Sequence, residues 1–485
     1  MNNNKKIKVL FAAFEVNPFV KTGGLADVAG ALPNSLVKEG IDCRVIMPLL
    51  SSIPYEYRKN MIKITECYVP LGWRHQYMGL YSLLYNHVTY YFIDNEYYFK
   101  RDNAYGYFDD GERIGYFSKA ILEALVHMDF SPDILHLNDW HDALSSVYLR
   151  EMYRGIEKFN HIKTLTTIHN IKFQGMYSKF VLDDVIGLGY YPDARRQLIQ
   201  GDAVNFMRGG LNYTDYITTV SPSYAEEIKS PYYGEKLEDI FLRRSDIVKG
   251  ILNGIDYDRY NPKTDPHIYI NYDINNLQNK YKNKTELQKE LGLNVDYDLP
   301  MFCIVSRLTE QKGIDLITAI FEELMDKSQS QFVILGVGDK KYVDAFKYFE
   351  NKYRGRVSSN QFFSEELSRK IYAGSDMILI PSRFEPCGLT QMIAMRYLTL
   401  PIVRETGGLK DSVVPYNQYT KEGNGFSFSN FNAHELLYTI QHALDLYYND
   451  RATFNLLIKH ASETNFSWTK SAKEYIKIYE HLMSY

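Results

Sequence analysis

Pro381-Ser382-Arg383-Phe384-Glu385-Pro386-Cys387-Gly388-Leu389-Thr390-Gln391 follows the apolar run Met377-Ile378-Leu379-Ile380 and leads into Met392-Ile393-Ala394-Met395. The run reads as a strand buried on both faces, and the segment after the loop as a helix. A strand, a tight loop and a helix are the unit of a parallel sheet. They place backbone N–H groups at the helix start, where an anion can be held. Glu385 adds a carboxylate, which suits sugar hydroxyls rather than phosphate, so the loop fits a sugar joined to a diphosphate. An ordinary strand-to-helix turn with a proline at each end has the same spelling.

A second loop supports the first reading. Residues 7–13 read as a buried first strand, followed by Lys21-Thr22-Gly23-Gly24-Leu25-Ala26-Asp27-Val28 and a helical pattern to about Lys38. Paired glycines allow positive φ and close approach of a ligand to the backbone, and Lys21 brings a point charge. A near copy, Thr406-Gly407-Gly408-Leu409-Lys410-Asp411, follows the run at 400–403. Two such loops on two halves suggest two lobes facing one ligand. Neither matches the dinucleotide fingerprint or the P-loop.

Strand and helix signals alternate through both halves, which predicts an α/β fold with helices on both faces of parallel sheets. Strands are expected at 9–13, 43–47, 134–137, 164–168 and 216–220, then at 301–306, 331–335, 377–380 and 400–403. Ligands of such sheets bind beyond the carboxyl ends of the strands, where His169, Asp139, Arg307 and Glu385 fall. A chain of 485 residues is too long for one core. The boundary is expected at 248–253, the polar stretch 267–286 at the surface, and a helix at 468–485.

The net charge of −4, with no long basic tract, argues against nucleic acid as a partner. No run of about 18 apolar residues is present, so no membrane span is expected. No apolar signal core follows the N-terminus, and the four cysteines are widely spaced, which suits a reducing, cytoplasmic setting. Cys387 is expected near the site without being a nucleophile. The 42 tyrosines and 26 phenylalanines are read mainly as core and surface composition.

Eight blocks carry a family resemblance. They are the loop from Lys21 to Asp27, His136-Leu137-Asn138-Asp139-Trp140-His141, Thr167-Ile168-His169-Asn170 and Val220-Ser221-Pro222-Ser223-Tyr224. Gly250-Ile251-Leu252-Asn253-Gly254-Ile255-Asp256, Ser306-Arg307-Leu308-Thr309-Glu310-Gln311-Lys312-Gly313 and the two loops of the second half complete the set. In these blocks, and in their order over nearly the whole chain, the sequence resembles the bacterial glycogen synthases, starch-synthase-like glycosyltransferases of the GT-B fold. The resemblance implies two Rossmann-like domains with parallel sheets facing each other across a cleft. Their expected bounds are 1–248 for the acceptor side and 249–466 for the nucleotide sugar, with a helix at 467–485 crossing back to the first domain.

The implied reaction is transfer of glucose from ADP-glucose to the non-reducing 4-hydroxyl of glycogen or another α-1,4-glucan, with retention, in glycogen biosynthesis. Breaking the bond between the anomeric carbon and a phosphate oxygen builds negative charge on the leaving diphosphate. Cations aimed there favour the transition state over the ground state. The resemblance gives that role to Arg307 and Lys312. It places Glu385 on the donor sugar's hydroxyls, although a carboxylate at a helix start is also favoured by the dipole. His169 and Asn170 are implied to line the donor glucose. Lys21, Gly23, Gly24, Asp27, Gly388, Leu389 and Thr390 are implied to complete the donor site. Asp139 faces the acceptor end, or else caps a helix starting near Trp140. Phe363, in Gln361-Phe362-Phe363-Ser364, aligns with a ring that stacks on adenine, or else is a core residue.

No cofactor and no metal are expected. Asp256-Tyr257-Asp258 and Asp296-Tyr297-Asp298 spell an Asp-x-Asp metal motif, but the first falls in the family's interdomain turn and the second in a loop before a strand. His136 and His141 lack zinc spacing. No carboxylate nucleophile of the retaining-glycosidase kind stands out. The resemblance therefore favours front-side attack, with the departing phosphate helping to take the acceptor proton. Rival readings are a UDP-glucose enzyme, a catalytically silent sugar-nucleotide or glucan-binding protein, and a glucan phosphorylase, whose pyridoxal lysine motif is not seen. The chain departs from the family at Arg208, where Lys is common, and at Lys236 and Leu398, where Gly is usual.

Overall fold

Two units account for the alternation of strands and helices: residues 1–254 together with 468–485, and residues 255–467. The structure is a computed structural model and describes residues 6–484.

The first unit is built on a nine-stranded sheet. Its strands, with three of a small separate sheet, are β1 (Lys8–Ala12), β2 (Asp42–Pro48), β3 (Ile62–Leu71), β4 (Arg74–Tyr85), β5 (Val88–Asp94), β6 (Ile134–Asn138), β7 (Lys163–Ile168), β8 (Met176–Ser178), β9 (Ile199–Gln200), β10 (Ala203–Asn205), β11 (Tyr216–Thr219) and β12 (Val248–Gly250). The large sheet runs β12-β11-β7-β6-β1-β2-β5-β4-β3, and the small one β8-β10-β9. Strands β12 to β5 pair in parallel, and the β3–β4–β5 ribbon is antiparallel. The central strands are apolar runs buried on both faces, as helices on both sides of a parallel sheet require.

Two expectations change here. Val248–Gly250, placed in the linker from sequence, is the edge strand paired with β11, so the units divide after Gly254. The antiparallel ribbon was not expected at all.

The helix Trp468–Met483 belongs to this unit and packs Trp468, Ala472, Tyr475, Ile478, Tyr479 and Leu482 into its core. Those positions recur at helical spacing and form one apolar stripe. Buried His136 anchors the stripe: its Nδ1 meets the Tyr479 hydroxyl at 2.7 Å, and its Nε2 meets Thr167 Oγ1 at 2.7 Å. Burial pushes the His136 imidazole well below its usual pKa, so it is a neutral structural group.

The second unit holds a six-stranded, all-parallel sheet in the order β15-β14-β13-β16-β17-β18. The strands are β13 (Met301–Val305), β14 (Gln331–Leu335), β15 (Val357–Asn360), β16 (Met377–Ile380), β17 (Leu400–Arg404) and β18 (Phe426–Phe428). The polar stretch 267–286, expected at the surface, instead contributes a helix, Leu277–Glu290, with Lys280, Asn283 and Lys284 buried. The reason is electrostatic. Lys280 Nζ donates to the carbonyls of Tyr372, Ala373 and Tyr397 and to Thr399 Oγ1, satisfying carbonyls left over at two helix ends. Lys284 pairs with buried Asp376 at 2.6 Å.

Lys236 (φ 67°) and Leu398 (φ 61°) keep the left-handed backbone that glycine would adopt without strain.

Candidate active site

In the second unit, β13 ends at Val305 and releases the loop that carries Arg307 and Lys312. Gly313, at φ 70°, closes it. A Cβ on Gly313 would lie 2.0 Å from the Pro381 carbonyl oxygen, so glycine is required for this loop to meet the one after β16. The Arg383 N–H donates to Gln311 O at 2.8 Å and locks the two together. The second loop then turns at Gly388 (φ 70°) into the helix Thr390–Arg396.

Lys312, Glu385, Gly388, Leu389 and Thr390 line one recess with Ser306 and Ser382. Lys312 Nζ pairs with Glu385 Oε2 at 2.6 Å, and the Ser382 hydroxyl donates to the same oxygen at 3.0 Å. With Oε2 committed, Oε1 is left for a ligand. Arg307, one residue beyond Ser306, is exposed. Phe363 is 86% exposed at the start of the helix Glu365–Gly374, which removes the core alternative for that residue.

In the first unit the expected residues form two neighbouring groups. Lys21 pairs with Asp27 at 2.8 Å just before and within the helix Gly24–Lys38. Lys21 and Thr22 line a cavity of about 470 Å³ with Tyr105 and Asn103. His169 and Asn170 follow β7, and Asp139 follows β6 in left-handed backbone (φ 59°).

The Asp139 carboxylate accepts the His169 N–H at 2.7 Å, and no helix starts at Trp140, since the next one is Leu144–Glu151. The capping alternative for Asp139 is therefore replaced by a bridge between two strand ends. Burial raises the Asp139 pKa to about 7 against the pull of the His169 and Asn170 N–H groups, and the nearby charge of Glu15 pushes the same way.

Burial lowers the His169 imidazole to about 3, so it is neutral. Its Nε2 lies 2.9 Å from Asn138 Oδ1, while Asn138 Nδ2 donates to Ala12 O. Nε2 therefore carries the proton, and Nδ1 is left as an acceptor.

Sequence reasoning missed Glu15, Tyr105, Asn138 and Ser382. Glu15 lies 4% exposed and accepts the Thr22 and Gly23 N–H groups at 2.5 and 3.1 Å. Tyr105 stacks on His141 at 4.7 Å, and its hydroxyl has no hydrogen-bond partner. A carboxylate inside the apolar run Ala12-Ala13-Phe14-Glu15-Val16 was the legible signal for the first. Asn138 and Ser382 lie within quoted motifs and Tyr105 outside all of them, and none of the three had a signal of its own.

The two Asp-x-Asp spellings are turns: Asp256 and Asp296 accept the N–H two residues on, at 2.9 and 2.8 Å. No helix among the described residues is long and apolar enough to cross a membrane.

Residues 8–243 match the starch synthase catalytic domain, and residues 283–455 match glycosyl transferases group 1. The glycogen synthase of Clostridium novyi is 50% identical over 98% of this chain and 99% of its own length. That of Clostridium acetobutylicum is 51% identical with the same coverage. The chain belongs to the glycogen synthase family. It is a hexosyltransferase of the GT-B fold. Among solved structures, the catalytic domain of starch synthase IV from Arabidopsis thaliana, bound to ADP and acarbose, superposes with a TM-score of 0.90. It is 32% identical, covering 99% of this chain and 100% of that one. Sucrose-phosphate synthase from Thermosynechococcus elongatus, at 17% identity and a TM-score of 0.60, shares the fold.

Proposed function

We propose that this chain elongates an α-1,4-glucan by transferring glucose from ADP-glucose to the non-reducing 4-hydroxyl with retention, the polymerising step of glycogen biosynthesis. The observation that carries the reading is the recess of the second unit, which the Lys312–Glu385 pair lines together with Ser306, the residue before exposed Arg307. Arg307 and Lys312 stabilise the leaving diphosphate, and Glu385 Oε1 takes a hydroxyl of the glucose. His169 Nδ1 and Asn170 contribute polar contacts to the sugar, Asp139 faces the acceptor, and Phe363 offers a ring face to adenine. Lys21, held by Asp27, adds a positive charge on the donor side. The ADP bound by the Arabidopsis relative supports an adenine donor. Four free cysteines fit a cytoplasmic location.

The test is turnover with glycogen as acceptor, ADP-glucose against UDP-glucose, for the parent and for Arg307→Ala and Lys312→Ala. ADP-glucose should be preferred, and each variant should lose about a hundredfold in turnover, roughly 3 kcal/mol, with its fold intact. Near-parental turnover in both variants would remove the diphosphate role.

A further inference from the structure

Glu15 stands at the end of the first strand's apolar run, before a short excursion that returns to its own start. Val16 and Val20 form an isolated antiparallel bridge, and Val20 N–H donates to Val16 O at 2.9 Å. The excursion is pinned to the helix Gly24–Lys38: Asn17 N–H donates to Ala26 O at 3.0 Å, and a Cβ on Gly30 would lie 2.3 Å from Asn17 O. Folding back in this way brings the Glu15 carboxylate to Thr22 and Gly23, where one oxygen accepts both backbone N–H groups. Lys21 precedes those two residues directly, and among the described residues its ammonium is held by Asp27 alone, at the surface.

The first Gly-Gly-Leu loop thus differs from an anion cradle. Its first donors are already taken by a carboxylate, which excludes a phosphate from them. What the loop offers a ligand is the Lys21 charge and the open side of Gly24, where an added Cβ would meet no atom within 4 Å.

We infer that Glu15 is a positioning residue of the donor site: by holding the Thr22 and Gly23 N–H groups it fixes the turn from which Lys21 reaches the donor. This rests on the reading of Lys21 as a donor contact. It makes reach, rather than charge, the property of Glu15 that matters. The oxygen must arrive at two N–H groups, and the Lys21 ammonium pairs with Asp27 rather than with Glu15.

Two conservative variants separate the possibilities. Glu15→Gln keeps an acceptor oxygen at the same reach and loses the charge; Glu15→Asp keeps the charge and withdraws the oxygen by one methylene. The expected result is a donor KM raised about tenfold in Glu15→Asp but no more than about threefold in Glu15→Gln. The glycogen KM should be unchanged in both, and Glu15→Asp should add little further loss in a Lys21→Ala background. Three results would overturn the inference: a larger donor effect in Glu15→Gln than in Glu15→Asp, parental donor KM in both, or losses that multiply fully with Lys21→Ala. A parental donor KM in Lys21→Ala alone would instead overturn the donor role of Lys21, the reading on which the inference rests.

Discussion

The two Gly-Gly-Leu loops are spelled alike and use their glycines for opposite reasons. In the second unit Gly407, Gly408 and Leu409 are buried. A Cβ on Gly407 would lie 2.1 Å from Glu385 O, and one on Gly408 would lie 1.9 Å from Cys387 O. The Gly408 N–H donates to Glu385 O at 3.0 Å. That loop braces the backbone of the 381–391 loop from behind. In the first unit Gly24 has nothing within 4 Å of an added Cβ, and Gly23 meets only Glu15 Oε1 at 3.4 Å. One pair of glycines makes room for the protein itself, and the other leaves room that the unit does not fill. The close approach expected of the first loop's glycines does not carry over to its near copy, where the close neighbour is backbone.

The largest effect that could break this contrast comes from adding one methyl group to each loop. Gly408→Ala should lose about 3 kcal/mol in thermal or denaturant unfolding, because backbone atoms cannot step aside as a flexible side chain would. Gly24→Ala, at the first turn of a helix, should stay within about 0.5 kcal/mol of the parent while raising the donor KM. Equal destabilisation of the two variants would end the distinction.

A second test uses pH. Beside the second loop, Glu385 is paired with Lys312. Beside the first, Asp139 is buried, and its pKa is raised to about 7. The rate at low acceptor concentration should therefore climb from pH 6 to pH 8 as Asp139 ionises, and Asp139→Asn should flatten that limb. Stability runs the other way. A carboxyl whose folded pKa lies above its unfolded value favours the fold fully below pH 4 and loses that contribution as pH rises through 7. Asp139→Asn should thus gain on the parent between pH 5 and pH 8. A parental pH–rate profile in the variant would deny Asp139 this part.

The smallest effect concerns strain outside both loops. Lys236 occupies left-handed backbone at φ 67° with an exposed side chain. Lys236→Gly should therefore gain about 1 kcal/mol in unfolding free energy. A loss would mean that the Lys236 side chain contributes contacts outweighing the strain.

Much of this was legible in the sequence, and the rest was hidden for physical reasons. The parallel strands announced themselves because burial on both faces demands unbroken apolar runs such as Met377-Ile378-Leu379-Ile380. The antiparallel ribbon Ile62–Asp94 did not, because it leaves Ile62, Tyr68 and Leu84 exposed and so blurs the alternation that marks a half-buried strand. Residues carrying Arg307, Lys312 and Glu385 stood out through their motifs. Glu15 did not, since its partners are backbone N–H groups, which have no letter in the sequence. The buried lysines of Leu277–Glu290 misled for a related reason: carbonyls at helix ends attract cations, and their position is known only once the helices are placed.

The return of Trp468–Met483 to the core of the first unit also sets a timetable for synthesis. Residues 255–467 must leave the ribosome before the stripe from Trp468 to Leu482 exists. At about 5–20 residues per second this is a delay of roughly 10–40 s after Gly254 has been added. During that interval the nascent first unit lacks the helix that covers Tyr479's partner His136. It leaves an apolar groove open to chaperones until after the second unit's last strand, Phe426–Phe428, has been added.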